Sequence, residues 1–94
     1  MNIGHSIKQL RKDRGISQFE FAKLVKISQT YLSLVEAGKR HCTVHFLESI
    51  AKGLDVPLPV LFWFSMEVKD VPELKKGHFE FLKPSIDSLI KSIF

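Results

Sequence analysis

Cysteine is nearly missing from this chain. Cys42 stands alone among 94 residues, so no intrachain disulfide can form, and the expected setting is a reducing interior with Cys42 as an inert loop residue. Long apolar runs are missing too. The longest, residues 56–64, is interrupted by Pro57 and Pro59 and falls well short of the roughly 20 residues that span a bilayer. Residues 1–12 interleave His5, Lys8 and Arg11 with Ile3, Ile7 and Leu10, which excludes the apolar heart of a secretion signal. These absences predict a cytoplasmic protein with no membrane partner.

Groupings that carry chemistry are equally scarce. No paired-carboxylate cleft, nucleophile motif or glycine-rich phosphate loop is legible, so neither an enzyme nor a small-molecule substrate is indicated. His41, Cys42 and His45 invite a metal, but three candidate ligands across a loop and one helical turn lack the fourth ligand and the spacing of a structural zinc site. No metal and no cofactor are expected. No β-rich stretch, internal repeat or low-complexity tract appears either.

What is present is a composition of 45% hydrophobic and 26% charged residues, enough for one core and not for two. The formal net charge is +4, and all of the excess lies before Ser65, where Lys8, Arg11, Lys12, Arg14, Lys23, Lys26, Lys39, Arg40 and Lys52 outnumber the acids. After Phe64 the charges balance. A polyanion, if one binds, therefore meets the first two thirds of the chain.

Apolar spacing is helical nearly throughout. Asn2 is placed to cap a helix with Ile3, Ile7 and Leu10 on one face, and Gly15 to end it. Ser17 caps a second helix facing inward through Phe21, Ala22 and Val25, and Ser28 caps a third with Leu32 and Val35 inward and Gly38 closing it. Thr43 caps a fourth, bearing Val44, Leu47, Ile50, Ala51 and Leu54, and Pro57 stands near the start of a fifth. In the tail, Asp70, Pro72 and Glu73 read as a capping box opening a helix over 71–82, preferred to a short hairpin suggested by the alternation at Met66 and Val68 and at Phe79 and Phe81. Pro84 then opens a last helix whose stripe is Ile86, Leu89, Ile90, Ile93 and Phe94.

Helices over 17–25 and 28–37, joined by a turn too tight for parallel packing, make a helix-turn-helix. In that motif the second helix enters the major groove. Gln29, Thr30, Ser33 and Leu34 point away from Leu32 and Val35 and offer hydrogen-bonding groups and one aliphatic to base edges. Taken alone, such a face fits an ordinary solvated helix equally well.

The wider pattern decides. Ile7, Leu10, Arg11 and Gly15, then Ile16-Ser17-Gln18, Phe21-Ala22, Ile27-Ser28-Gln29, Tyr31-Leu32-Ser33, Val35-Glu36 and Gly38-Lys39-Arg40 stand at fixed offsets, continued by Leu47, Ile50, Ala51, Leu54 and Val56. Over residues 3–62 the chain resembles the Cro/CI-type, or XRE, helix-turn-helix family. The resemblance implies an all-α fold, a five-helix lambda-repressor-like DNA-binding bundle over residues 1–64; the apolar stripes of the tail add a helical extension over 65–94 as an expected dimerisation element. It implies double-stranded DNA as partner and regulation of transcription as function. It implies base reading by Gln29, Thr30, Ser33 and Leu34, backbone contacts from Gln18, Tyr31, Lys39 and Arg40, and a structural ion pair between Arg11 and Glu36.

The sequence departs from the family at Lys26 and Asp55, which stand where glycine is usual and which a left-handed backbone tolerates at some strain. Phe19 and Leu24 are apolar where relatives tend to be polar. Leu61, Phe62 and Phe64 of the fifth helix, with Ile86, Leu89, Ile90 and Ile93 of the last, exceed what a small core needs and are expected to form a homodimer interface. The rival reading is a protein-interaction adaptor that keeps the fold without DNA binding, using Phe19, Leu24, Trp63 and the tail. The residues after Phe64 are too few to form a ligand pocket of their own.

Overall fold

Four helices begin on an oxygen that accepts a backbone N–H of the first turn, and this fixes where each one starts. In the computed structural model, which describes residues 1–94, α1 (Ile3–Asp13) is capped by Asn2 Oδ1 accepting from His5 N–H at 3.2 Å. Ser17 Oγ accepts from Glu20 N–H at 3.0 Å to open α2 (Gln18–Leu24), and Ser28 Oγ from Tyr31 N–H at 3.0 Å to open α3 (Gln29–Glu36). Thr43 Oγ1 does the same for α4 (Val44–Gly53) at 3.1 Å. α5 (Leu58–Ser65) follows Pro57, whose fixed φ suits a helix entrance.

The same four helices end alike. Gly15, Lys26, Gly38 and Asp55 have φ of +68°, +62°, +75° and +58°. In each case the left-handed residue donates its N–H to a carbonyl three residues back, and the next residue donates to one five back, as Ile16 does to Arg11 and Val56 to Ala51. This is the Schellman closure, which satisfies the last carbonyls of a helix. The strain expected at Lys26 and Asp55 is present and is held by these bonds.

Ile7, Leu10, Phe21, Ala22, Leu32, Val35, Leu47, Ile50, Ala51, Leu54, Val56 and Leu61 form one core. Two expectations are corrected there. Val44 lies in the first turn of α4 on its solvent side and is exposed. Leu61 is 0% exposed and belongs to the interior, so it cannot form a dimer interface. Phe62 and Phe64 are half-buried within their own chain.

α1 approaches α3 and α5 closely, and small polar groups make that possible. Asn2 N–H donates to the Ser65 carbonyl at 2.8 Å, and Ser6 Oγ to the Phe64 carbonyl at 2.9 Å. Gly4 faces the end of α3 so tightly that a Cβ there would lie 2.3 Å from the Val35 carbonyl oxygen.

The tail departs from its expected form. Val68–Asp70 and Glu73–Lys75 are single 3₁₀ turns, and one continuous helix, α6 (Lys76–Ile93), contains Pro84. Helix is present over most of 71–82 and after Pro84, as expected, but it starts at Lys76 and runs through Pro84 without a break; the separation into two helices is overturned, as is the hairpin. Asp70 does not cap forward: its carboxylate turns back to accept from Glu67 N–H at 2.8 Å and from the Met1 ammonium at 2.9 Å, contacts that hold its carboxyl below the usual carboxylate range. Pro72 keeps Val71 extended, so no helix can run through Val71, and the chain passes through the Glu73–Lys75 turn before α6 begins at Lys76. An interior proline costs about 3 kcal/mol. The helix crosses it because residues on both sides hold one platform, Trp63. Phe79 meets the indole edge-on at 6.0 Å, Lys83 Nζ lies 5.4 Å from the ring centre, and Trp63 Nε1 donates to Asp87 Oδ1 at 2.7 Å. Trp63 is thus committed within the chain. No helix is long and apolar enough to cross a membrane.

The Gly4 contact predicts that Gly4→Ala lowers stability by about 1–3 kcal/mol or more through overpacking against backbone. Gly77→Ala, with nothing within 4 Å of the added methyl, should leave stability unchanged or slightly higher. Urea unfolding of both variants checks this.

Candidate nucleic-acid interface

α2 and α3 are locked by Phe21 and Ala22 on one side and Leu32 and Val35 on the other, all in the core. Their outward faces are consequently fixed. Gln29, Thr30 and Ser33 are exposed along one face of α3, with Leu34 half-exposed beside them. The reading residues expected from sequence thus stand together on one helix surface.

A chain of polar contacts runs from the interior to that surface. Arg11 and Glu36 form a bidentate pair, Nε to Oε2 at 2.8 Å and Nη2 to Oε1 at 3.0 Å, with side chains only 7% and 3% exposed. Arg11 Nη1 also donates to the Ile16 carbonyl at 2.8 Å. Glu36 Oε1 accepts from Gln18 Nε2 at 3.1 Å, and Gln18 Oε1 accepts from Gln29 Nε2 at 3.3 Å. Four residues on three helices are therefore linked in order, Arg11, Glu36, Gln18, Gln29. Every buried side-chain polar atom has a partner.

The last link leaves Gln29 chemically competent. One amide N–H is used by Gln18, while the second N–H and the amide oxygen of this exposed side chain have no partner in the chain. Those two groups are what a bidentate pairing with adenine N7 and N6 requires. Gln18 uses one amide N–H on Glu36 and its amide oxygen on Gln29, which leaves its second N–H without a partner in the chain.

The end of α3 differs from the other helix ends. After the left-handed residues at α1, α2 and α4 comes an apolar side chain packed on the core, Ile16, Ile27 and Val56. After Gly38 comes Lys39, exposed, followed by exposed Arg40. Arg40 lies over the Tyr31 ring at 5.5 Å, and Tyr31 packs edge-on against Phe46 at 5.3 Å. Phe46 went unnoticed in the sequence because it lies off the apolar stripe of α4, and Gly4 because a close helix crossing has no local signature.

His41, Cys42 and His45 do not converge, and no cluster of three or more His, Cys, Asp or Glu side chains is placed to hold a metal. Burial pushes the Cys42 thiol above its ordinary pKa.

A model of the helix-turn-helix family matches residues 7–61. The chain is 38% identical over 63 residues to the control protein C.MunI of a Mycoplasma species, covering 66% of this chain and 85% of that protein. It is 37% identical over 60 residues to the transcriptional regulator SinR of Bacillus subtilis, covering 63% of this chain but only 54% of SinR, about half that relative's length. The crystal structure of SinR, the master regulator for biofilm formation, in complex with DNA superposes with a TM-score of 0.60 at 36% identity, over 64% of this chain and 97% of the solved one.

The buried pair gives a stability test. Removing one partner strands a charge in the interior, so Glu36→Ala should cost about 3–5 kcal/mol. Glu20→Ala, at the exposed first turn of α2, should cost about 1 kcal/mol or less. Urea midpoints of the two variants should differ accordingly, and equal midpoints would contradict the role assigned to the pair.

Proposed function

The chain belongs to the Cro/CI-type (XRE) helix-turn-helix family, and from that premise we propose that it is a homodimeric repressor or controller reading DNA through α3. It is a DNA-binding regulator of transcription. The observation that carries the finer reading is the relay from Arg11 to Gln29, because a surface glutamine held by a buried ion pair is pre-positioned for a directional contact. Gln29, Thr30, Ser33 and Leu34 read bases, and Gln18, Tyr31, Lys39 and Arg40 grip the backbone. Location of the positive excess in the same part of the chain supports a polyanionic partner over an adaptor role. As a regulator it acts by occupancy, without catalysing a reaction, in the cytoplasm.

Pairing uses α6. Ile86 and Ile90 are half-buried, whereas Phe81, Leu89 and Ile93 are 80%, 67% and 74% exposed. Ser85, Ser88 and Ser92 beside them are small enough to let a second helix approach. An isologous contact through this face makes a two-fold dimer suited to half-sites about one helical turn, roughly 34 Å, apart.

Two measurements test the proposal. In DNA titrations at two salt concentrations, Gln29→Ala should weaken the selected site by about 1–3 kcal/mol and leave scrambled duplex nearly unaffected, while Lys39→Gln or Arg40→Gln should weaken both alike and reduce the salt slope by about one. Equal losses on both duplexes for Gln29→Ala would make it a backbone contact. In sedimentation, the full chain should be dimeric at tens of micromolar and Leu89→Glu monomeric with unchanged helicity; a monomeric parent chain would remove the α6 interface.

A further inference from the structure

A groove of about 460 Å³ lies where the extension meets the bundle. Its apolar surface comes from Trp63 and Met66 at the end of α5, Val71 of the extended link, and Phe79, Leu82 and Ile86 of α6. Volume and lining both fall within what small-molecule sites show. The extension alone could not make it; Trp63 supplies the wall that the short tail lacks.

The rim decides what such a site would take. Asp70, Lys75, His78 and Lys83 reach it. Asp70 is already compensated by the Met1 ammonium and the Glu67 N–H. Lys83 Nζ is bound to both carboxylate oxygens of Asp87, at 3.1 and 2.9 Å. Lys75 is exposed and joins no ion pair. The uncompensated charge at the mouth is positive, above an apolar floor.

We propose that this groove is a ligand site for a small amphipathic carboxylate, its apolar body against Trp63, Phe79 and Ile86 and its carboxylate at Lys75. Charge complementarity selects an anion, and the groove's size selects a small molecule over a peptide helix. The extension then gives the molecule a place for signal input that is separate from the DNA-reading surface, and the proposal does not depend on how DNA is read.

Trp63 is the sole tryptophan, so its emission reports on the groove directly. The full chain is titrated with decanoate, decanol and decyltrimethylammonium, each below its micelle concentration. Decanoate should give a saturable blue shift with half-saturation at least tenfold lower than that of the cationic analogue. Lys75→Glu should reverse that order and the milder Lys75→Gln fall between, with helicity unchanged in both. Equal responses to all three probes, no saturable response to decanoate, or undiminished decanoate binding by Lys75→Glu would overturn the proposal. So would an emission shift that follows protein concentration without ligand, since a second copy would then be the occupant.

Discussion

A guanidinium and a carboxylate withdrawn from water lose several kcal/mol of hydration each, and only good geometry with further hydrogen bonds offsets that loss. Arg11 and Glu36 meet the condition by pairing in two-pronged fashion, while Ile16 and Gln18 take up the remaining valences. The consequence is positional. Arg11 sits on the last turns of α1, Glu36 on the last turn of α3, and the link through Gln18 reaches the first residue of α3. Both ends of α3 are thereby referred to the same buried charges, which a purely apolar core would hold in less definite register.

Around that pair the bundle is built by repetition. Capped starts and Schellman ends recur in α1 to α4, so each helix is short, sharply bounded and aimed. Where the closure is followed by an apolar residue, the chain is pulled back to the core. Where it is followed by Lys39, the chain leaves toward solvent with two exposed cations just past the C-terminal end of α3. One backbone device thus returns the chain to the core at three corners and releases it to solvent at the fourth.

The extension works by a different economy. α6 has no fully buried residue, yet it is fastened to Trp63 by an indole hydrogen bond, an aromatic edge contact and a lysine above the ring. Polar and aromatic anchoring of this kind leaves apolar surface on the far side and a groove on the near side. Both are consequences of docking a helix on one aromatic platform rather than sinking it into a core.

Sequence by itself determined where the first four helices start, because Asn2, Ser17, Ser28 and Thr43 cap locally and apolar stripes follow them; their assembly into a five-helix bundle was legible through the family resemblance. It also determined which side chains of α3 face solvent, since Leu32 and Val35 cannot turn inward without turning Gln29, Thr30 and Ser33 out. The Arg11–Glu36 pair was legible only through family resemblance, as 25 residues separate partners whose contact no local rule supplies. Tertiary structure alone decided the tail. Asp70 had two competing partners, and the distant Met1 ammonium and Glu67 N–H took its carboxylate, which dissolved the capping box. Pro84 should end a helix by local rules, but Trp63 holds residues on both sides of it in one line. Leu61 shows the same limit in reverse: an apolar stripe says that a face is covered and not by what, and here the cover is the chain's own core.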